Sequence, residues 1–215
     1  MRKPSDRRGL FLDLDGTLAD SLGLLRDVYF RFLAEFGVQG SDAEFNGLNG
    51  PNLPEIVRIL QTAYGLPSDT TVFLAAYNRV VDEVYKNVLP KPGSRELIET
   101  AAAKGWTITL VTSNTESRAS VWLERMGFAC FMEFTVSGEE VRRGKPWPDL
   151  YELALARSGC VASESIAVED SVLGAEAARA AGLRTFLLAS HDRSISKSPD
   201  NVTRLRGLTD SLVWL

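Results

Sequence analysis

The sequence predicts an α/β protein with a doubly wound parallel sheet and an inserted, all-helical segment. Strand-like and helix-like stretches alternate over residues 94–188, and such alternation favours right-handed crossovers between parallel strands. A separate apolar run, residues 9–15, turns acidic at its end and precedes the turn former Gly16. We therefore expect a buried first strand in the same sheet. Between these two parts, residues 19–88 carry helical patterns only.

Residues 19–88 hold three helical patterns. The first covers residues 22–36, with apolar residues three and four apart, and Gly37 is placed to end it. The second covers residues 54–64 and is closed by Gly65. The third opens at Ser68 and places five apolar residues on one side: Val72, Phe73, Ala76, Val80 and Val84.

A stiff junction of Pro90, Pro92 and Gly93 follows the helical segment. Beyond it we expect a helix at about 94–103, a strand at 106–111, a helix ending near 127, a strand at 134–136, a helix after 148, a strand at 166–169, a helix ending at Gly182 and a strand at 184–188. The last of these is the final clear strand pattern in the chain.

Composition excludes several classes of protein. The 215 residues are 45% hydrophobic and 24% charged, which suits one compact domain or a core with an insert. The net charge of −4 lacks the basic excess of a nucleic-acid-binding protein. No apolar stretch approaches the ~20 residues of a membrane span, and no apolar segment follows the basic start as in a secretion signal. We expect no nucleic acid or membrane partner and a cytoplasmic location.

Histidine and cysteine are scarce. Cys130 and Cys160 have no histidine near them in sequence and support neither a disulfide scaffold nor a zinc ribbon. The single histidine, His191, stands in a polar segment where a surface loop is expected. Ser-His-Asp, Cys-His and HExxH sites all need histidines. Chemistry in this protein is therefore expected to rest mainly on carboxylates.

Polar residues mark the strand ends. In a doubly wound sheet the carboxyl ends of the strands line the ligand crevice. At or after those ends stand Asp13, Asp15, Thr112, Ser113, Asn114, Lys145, Glu169 and Asp170. Carboxylates that converge repel one another unless a cation and a lysine lie among them. Carboxylate-rich oxygen ligation with room for water suits Mg²⁺, so we expect a magnesium site here.

Four ordered motifs carry a resemblance to a known family. DLDGTLADS, the TSN after a hydrophobic strand, GKPWPD and VEDS resemble, in that order, the motifs of the haloacid dehalogenase-like hydrolase superfamily. The helical insertion is similar to the small cap of phosphoglycolate phosphatases and β-phosphoglucomutases. The resemblance implies a Rossmann-like core at residues 1–18 and 89–215 and a helical cap at residues 19–88. Hinges are expected near residues 18–22 and 88–92.

The resemblance also implies roles for three motif residues in catalysis. Asp13 would be the nucleophile that takes the phosphoryl group as an aspartyl-phosphate. Asp15 would be the general acid and base, protonating the leaving alkoxide and then taking a proton from water. Lys145 would neutralise charge on Asp13 and on the phosphate.

Binding roles are implied for the other motif residues. Thr112 or Ser113, with the backbone amides around Asn114, would hold the phosphoryl oxygens. Mg²⁺ would be bound by Asp170, and by Glu169 directly or through water. Asp13 and the backbone carbonyl of Asp15 would complete the metal site.

The implied activity is hydrolysis of a small phosphorylated metabolite, such as phosphoglycolate or a sugar phosphate, by a monomer or homodimer. Asp15 argues against dehalogenase and phosphonate-cleaving members, which lack an aspartate there. A sugar phosphate mutase is an alternative, although its cap supplies a histidine that SLGLLRDVYF lacks. A non-catalytic binding module is another.

Substrate specificity is expected in the FNGLNGPNLPE stretch of the cap. Its glycines allow turns and its prolines stiffen it. Asn49, Asn52 or Arg58 would then reach the leaving group of the phosphate ester.

Overall fold

The computed structural model describes residues 7–66, 69–188 and 201–215, which build one six-stranded parallel sheet. Its strands are β1 (Gly9–Leu12), β2 (Thr107–Val111), β3 (Phe134–Val136), β4 (Ile166–Glu169), β5 (Arg184–Leu188) and β6 (Val202–Leu205). The order across the sheet is β3-β2-β1-β4-β5-β6, and every neighbouring pair is parallel. The predicted doubly wound α/β fold is confirmed, with β1 near the centre.

Eight α-helices lie in the described ranges. They are α1 (Leu22–Glu35), α2 (Asp42–Gly47), α3 (Leu53–Tyr64), α4 (Thr70–Tyr85), α5 (Ser94–Ala103), α6 (Glu116–Met126), α7 (Asp149–Ser158) and α8 (Val172–Ala180). A 3₁₀ helix at Leu208–Trp214 follows β6. Within those ranges, none of the helices has the length and apolar character needed to cross a membrane.

Alternation along β1 divides the core between the two faces of the sheet. Leu10 and Leu12 share one hydrophobic cluster with residues of α5 and α6. Phe11 belongs to another cluster with residues of α7 and α8. Side chains two apart on a strand share a face. Because both faces are covered, the strand is apolar throughout and polar groups collect at its carboxyl end.

Helices α1–α4 form the insertion between β1 and α5. Asn52 and Glu55 form a capping box at the start of α3, and the left-handed Gly65 (φ 61°) ends that helix as predicted. At α4 the capping residue is Asp69, whose side chain accepts from two backbone amides. The predicted start at Ser68 lies outside the described residues.

The buried face of α4 differs from the predicted one. Val72 is 65% exposed, whereas Phe73, Tyr77, Val81 and Tyr85 are buried. These four residues recur every four positions, so they lie on one side of the helix, close to one another. Of the predicted set only Phe73 is fully buried, so the face that packs inward centres on three aromatic residues and Val81.

Three boundaries or elements differ from the sequence prediction. β1 ends at Leu12, so Asp13 follows the strand and the chain turns at Leu14, whose carbonyl accepts from three later amides. α2 has only six residues, too few to show a helical period. β6 exposes Thr203 and Arg204 at the sheet edge, so it lacks the apolar run that marked the other strands.

The two segments that join the insertion to the sheet lie side by side. The Asp20 amide donates to the Leu89 carbonyl at 2.9 Å, and the Lys91 amide donates to the Leu18 carbonyl at 2.8 Å. A bridge pairs Ala19 with Pro90 in antiparallel sense. A movement of one segment would therefore involve the other. The division into cap and core, and the hinges, stay predictions.

Trp122 provides a test of the packing between α6 and the segment that joins α4 to α5. Its side chain is 1% exposed, and its indole N–H donates to the Val88 carbonyl at 3.0 Å. Trp122→Ala is expected to lower the free energy of unfolding by about 3–5 kcal/mol, because it leaves a cavity. The neighbouring Val121 is 64% exposed, and Val121→Ala should change that energy by less than about 0.5 kcal/mol. Urea denaturation followed by circular dichroism measures both, and equal losses would contradict this account.

Candidate active site

Three acidic side chains converge at the carboxyl ends of β1 and β4. Asp13 follows β1, Glu169 ends β4 and Asp170 follows it. One carboxylate oxygen of each lies within 4.8 Å of the others, and all three residues are buried. β1 and β4 are hydrogen-bonded neighbours in the sheet, so their ends necessarily meet. The structure therefore brings together three of the four carboxylates that were predicted to converge.

Lys145 lies among these carboxylates. Its ammonium nitrogen is 2.7 Å from Asp13 Oδ1 and 2.5 Å from Glu169 Oε1, and it donates to the Val111 carbonyl at 3.3 Å. Burial by itself lowers the pKa of Lys145, but the charges of Asp13 and Glu169 outweigh it and raise that pKa above its ordinary value. Lys145 is therefore a permanent cation at this position.

One lysine does not balance three buried carboxylates. Burial, followed by the charge of Glu169, raises the pKa of Asp13 well above its ordinary value, against the opposing effect of Lys145. The same two causes raise the pKa of Asp170 to about 7. In both cases loss of water penalises the charged form and a neighbouring anion adds to the penalty. An added positive charge would stabilise the ionised cluster.

The donor set fits a divalent cation. Glu169 Oε2 is buried and has no hydrogen-bond partner among the described residues, while its other oxygen accepts from Tyr151 at 2.5 Å. A side chain at Gly174 would collide with the Glu169 carboxylate, and one at Gly16 (φ 79°) would collide with that of Asp170. The backbone therefore lies close against both carboxylates. Carboxylate oxygens are the ligands that Mg²⁺ prefers in proteins.

Asp15 faces the helical insertion instead of the acidic cluster. Its Oδ1 accepts from the Ser21 and Tyr85 hydroxyls, each at 2.6 Å, and its Oδ2 accepts from the Asn114 amide at 2.9 Å. Its carboxylate is not a member of the acidic group described above. The predicted metal contact through its backbone carbonyl stays a prediction. Three hydrogen-bond donors therefore fix the orientation of the Asp15 carboxylate.

Arg118 connects Asn114 to α4. Its guanidinium donates to Asn114 Oδ1 at 2.5 Å, to Asn78 Oδ1 at 2.9 Å and forms an ion pair with Asp82 at 2.7 Å. Because Arg118 takes the oxygen of the Asn114 amide, the NH₂ group is left to point at Asp15. The orientation of Asp15 thus depends on contacts that begin in the helical insertion.

A cavity of about 110 Å³ lies between the sheet edge and the insertion. Its sheet side includes Asp13, Asp15, Thr112, Ser113, Asn114, Arg118 and Lys145. Its insertion side includes Leu22, Leu25, Phe45, Leu48, Leu53, Ile56, Tyr77 and Val81. A charged, reactive surface therefore faces an apolar one.

The residues predicted to bind phosphate line the sheet side of this cavity. Thr112 Oγ1 accepts from the Asn114 backbone amide at 3.0 Å. The Ser113 hydroxyl donates to the Gly50 carbonyl, and so ties this loop to the insertion. Asn49 also lines the cavity, but its amide donates to Asp170 Oδ2 at 2.9 Å. Asn49 thus contacts the acidic cluster.

The structure does not bring Arg58 or Asn52 to the cavity. Arg58 is exposed on α3 and its Nε donates to the Pro54 carbonyl at 3.2 Å. It lies two positions beyond Ile56, which faces the cavity, so helical geometry turns it toward solvent. The Asn52 side chain accepts from the Glu55 amide and caps α3. His191 lies outside the described residues.

Sequence reasoning missed several residues around Asp15. The sequence does contain a pattern that predicts burial of Tyr85, because Phe73, Tyr77, Val81 and Tyr85 recur at intervals of four. Arg118 stands four residues, about one helical turn, after Asn114, but nothing in the local pattern distinguishes it from a solvated helix arginine. Its partners on α4 are brought near only by the tertiary fold.

A family model described as "Haloacid dehalogenase-like hydrolase" matches residues 10–188 of the chain. Among similar proteins, the "Phosphorylated carbohydrates phosphatase" of Thermotoga maritima is 27% identical over 190 residues, which are 88% of each chain. The plasmid "Phosphoglycolate phosphatase" of Cupriavidus necator is 29% identical over 185 residues, covering 83% of this chain and 79% of that protein.

Solved structures share the fold. CbbY from Rhodobacter sphaeroides, in complex with phosphate, superposes with a TM-score of 0.84 at 21% identity, covering 95% of this chain and 96% of that one. A putative β-phosphoglucomutase from Thermotoga maritima gives a TM-score of 0.71 at 24% identity, with 96% and 97% covered. The fold of this chain, over 95% or more of its length, is therefore shared with these solved structures.

The raised pKa of Asp170 predicts a pH-dependent stability in the absence of metal. The folded-state pKa of about 7 lies above the ordinary value of 3.8, so the folded state binds more protons in this window. Stability should fall as pH rises toward 7. Mg²⁺ should reverse the loss, and its stabilising effect should grow over the same range because it competes with the proton. Thermal unfolding from pH 5 to 8, in EDTA and in Mg²⁺, measures both effects.

Asp170→Asn is the matched variant for this experiment. It removes the buried charge with little change in shape, so at pH 8 in EDTA it should unfold at the same or a higher temperature than the parent protein. It should also lose most of the stabilisation by Mg²⁺. Asp27→Asn, at an exposed carboxylate on α1, serves as the control and should keep the parent behaviour. A parent protein whose stability rises with pH in EDTA would contradict the prediction.

Proposed function

The chain belongs to the haloacid dehalogenase-like hydrolase family, and on that premise we propose that it is a magnesium-dependent phosphatase that hydrolyses a small phosphate monoester through an aspartyl-phosphate. One observation carries the proposal: Asp13 is buried beside Lys145, with two further carboxylates within reach. The names of the relatives in Thermotoga maritima and Cupriavidus necator support the phosphatase class.

In the first half of the reaction, an oxygen of Asp13 attacks phosphorus. A bond forms between that oxygen and phosphorus, and the bond from phosphorus to the ester oxygen breaks. Asp15, held in the cavity by its three donors, gives its proton to the departing oxygen, so that an alcohol leaves. The covalent product is an aspartyl-phosphate on Asp13.

In the second half, water attacks the phosphorus of the aspartyl-phosphate. Asp15 takes a proton from that water, the bond between Asp13 and phosphorus breaks, and inorganic phosphate leaves. Asp13 and Asp15 then return to their starting forms. Lys145 balances charge on Asp13 throughout. The Ser113 hydroxyl, once it releases the Gly50 carbonyl, holds a phosphoryl oxygen together with nearby backbone amides.

Asp13, Glu169 and Asp170 are the side chains that would hold Mg²⁺. A bound Mg²⁺ would screen the dianionic phosphate from the carboxylate nucleophile and orient the ester for in-line displacement. Glu169 Oε2, which lacks a partner among the described residues, supplies a free ligand atom. Tyr151 and Asn49 hold the remaining oxygens of Glu169 and Asp170 in place.

Hydrolysis is favoured over phosphoryl transfer between positions of one sugar. Helix α1, which follows the first motif, carries no histidine in the sequence LGLLRDVYFRFLAE. A mutase of this family supplies a histidine from that helix. We therefore assign the transfer of a proton to the leaving oxygen to Asp15.

Asp13→Asn tests the nucleophile. It should lower kcat for hydrolysis of p-nitrophenyl phosphate at least about a thousandfold, because the amide is a poor nucleophile. EDTA should abolish turnover by the parent protein and added Mg²⁺ should restore it. Asp27→Asn is the control and should keep full activity. Unchanged turnover by Asp13→Asn, or by the parent protein in EDTA, would contradict the proposal.

Tyr85→Phe tests the positioning of Asp15. The change removes one of the three donors to its carboxylate while it keeps the buried ring. We expect kcat to fall roughly tenfold with little change in KM, because acid–base catalysis requires an oriented carboxyl. The pH profile of kcat should shift as well, which a purely structural role would not produce.

Tyr64→Phe is the matched control for that variant. Tyr64 also donates to a carboxylate, Glu44, at 2.6 Å, but neither residue lines the cavity. Its kcat and pH profile should match those of the parent protein. Equal losses of kcat in the two tyrosine variants would show that Tyr85 does not position Asp15.

A further inference from the structure

The insertion side of the cavity is almost entirely hydrocarbon. All four helical elements contribute to it, among them Leu25 from α1, Phe45 from α2, Ile56 from α3 and Val81 from α4. Among the described residues that line this side of the cavity, only Asn49 and Tyr77 add polar side-chain atoms. This surface faces Asp13 and Asp15, so it is where the leaving group of an ester would lie.

Few of these polar atoms are available to a ligand. The Asn49 NH₂ group already donates to Asp170, which leaves the amide oxygen of Asn49 as an acceptor. The Tyr77 hydroxyl has no hydrogen-bond partner among the described residues, and burial raises the pKa of Tyr77 to about 12. Tyr77 is therefore a neutral hydroxyl that can donate one hydrogen bond to a ligand and accept another.

The cations that line the cavity are already paired. Lys145 contacts Asp13 and Glu169. The Arg118 guanidinium pairs with Asp82 and donates to Asn78 and Asn114. A carboxylate or a second phosphate on the leaving group would thus find no unpaired cation among the described lining residues.

We infer that the substrate is a short alkyl phosphate monoester, whose leaving group is an apolar alcohol. The inference rests on the proposed phosphatase function and names its substrate class. A hydroxyl or carboxylate in this half of the cavity would lose its hydration and find only the Tyr77 hydroxyl and the Asn49 side chain as polar replacements. The cavity of about 110 Å³ must also hold the phosphoryl group, and it is smaller than the ~150 Å³ of an apolar cavity that holds benzene, so the leaving group has few carbons.

Two matched substrate pairs test this inference. Propyl phosphate and glycerol 3-phosphate have the same carbon chain and differ by two hydroxyls. Ethyl phosphate and phosphoglycolate differ by a methyl group against a carboxylate. With Mg²⁺ present, kcat/KM should be at least tenfold higher for the alkyl member of each pair, although the polar members have the better leaving groups.

Ile56 and Ile59 provide matched variants on α3. Ile56 lines the cavity, whereas Ile59 is 43% exposed and lies outside it. Ile56→Asn should lower the ratio of kcat/KM for propyl phosphate over glycerol 3-phosphate at least fivefold. Ile59→Asn makes the same chemical change on the same helix and should keep the parent ratio.

Binding to Asp13→Asn separates this inference from the proposed function. This variant lacks the nucleophile, so calorimetric titration with Mg²⁺ and each ester reports affinity without turnover. Tighter binding of propyl than of glycerol phosphate supports the apolar leaving group even if no ester is hydrolysed. Absence of turnover across all esters and p-nitrophenyl phosphate would overturn only the phosphatase. Equal or stronger binding and turnover of the polar esters would overturn the substrate class.

Discussion

The burial of three carboxylates against one lysine is the constraint on which the rest of this structure depends. Parallel strands β1 and β4 are neighbours, so Asp13, Glu169 and Asp170 must meet at their ends. Like charges in a desolvated site raise one another's pKa and favour a proton or a metal ion. The surrounding chain is adapted to the cluster, with glycines where a side chain would collide with Glu169 or Asp170.

A second arrangement links the helical insertion to the acid–base group. Asp15 accepts from Ser21 and Tyr85 on one side and from Asn114 on the other. Arg118 extends the connection to α4. Hydrophobic packing reinforces it, because residues of α4 share a cluster with residues of the sheet. The insertion is therefore held against the sheet edge by both polar and apolar contacts.

Much of the fold could be predicted because its signals are local. The bounds of β3, β4 and β5 agree with their sequence patterns, and α5 covers the predicted residues 94–103. Each of these elements has an apolar run or a helical period in its own sequence, and Gly93 and Gly105 flank α5. The short α2 and the polar edge strand β6 lack such signals. On α4, the apolar pattern predicted a mainly aliphatic face, yet three aromatic residues and Val81, spaced four apart, form the buried face.

The sequence by itself determined which residues stand at the strand ends, since strand and turn signals depend on neighbours along the chain. It therefore indicated Asp13, Lys145, Glu169 and Asp170 as members of one site. Only the tertiary structure decided where Asp15 points, that Arg118 orients Asn114, that Arg58 faces solvent, and that the cavity wall opposite Asp13 is apolar. Those outcomes depend on how α1–α4 pack against the sheet, and such contacts join residues far apart in the chain that no local pattern relates.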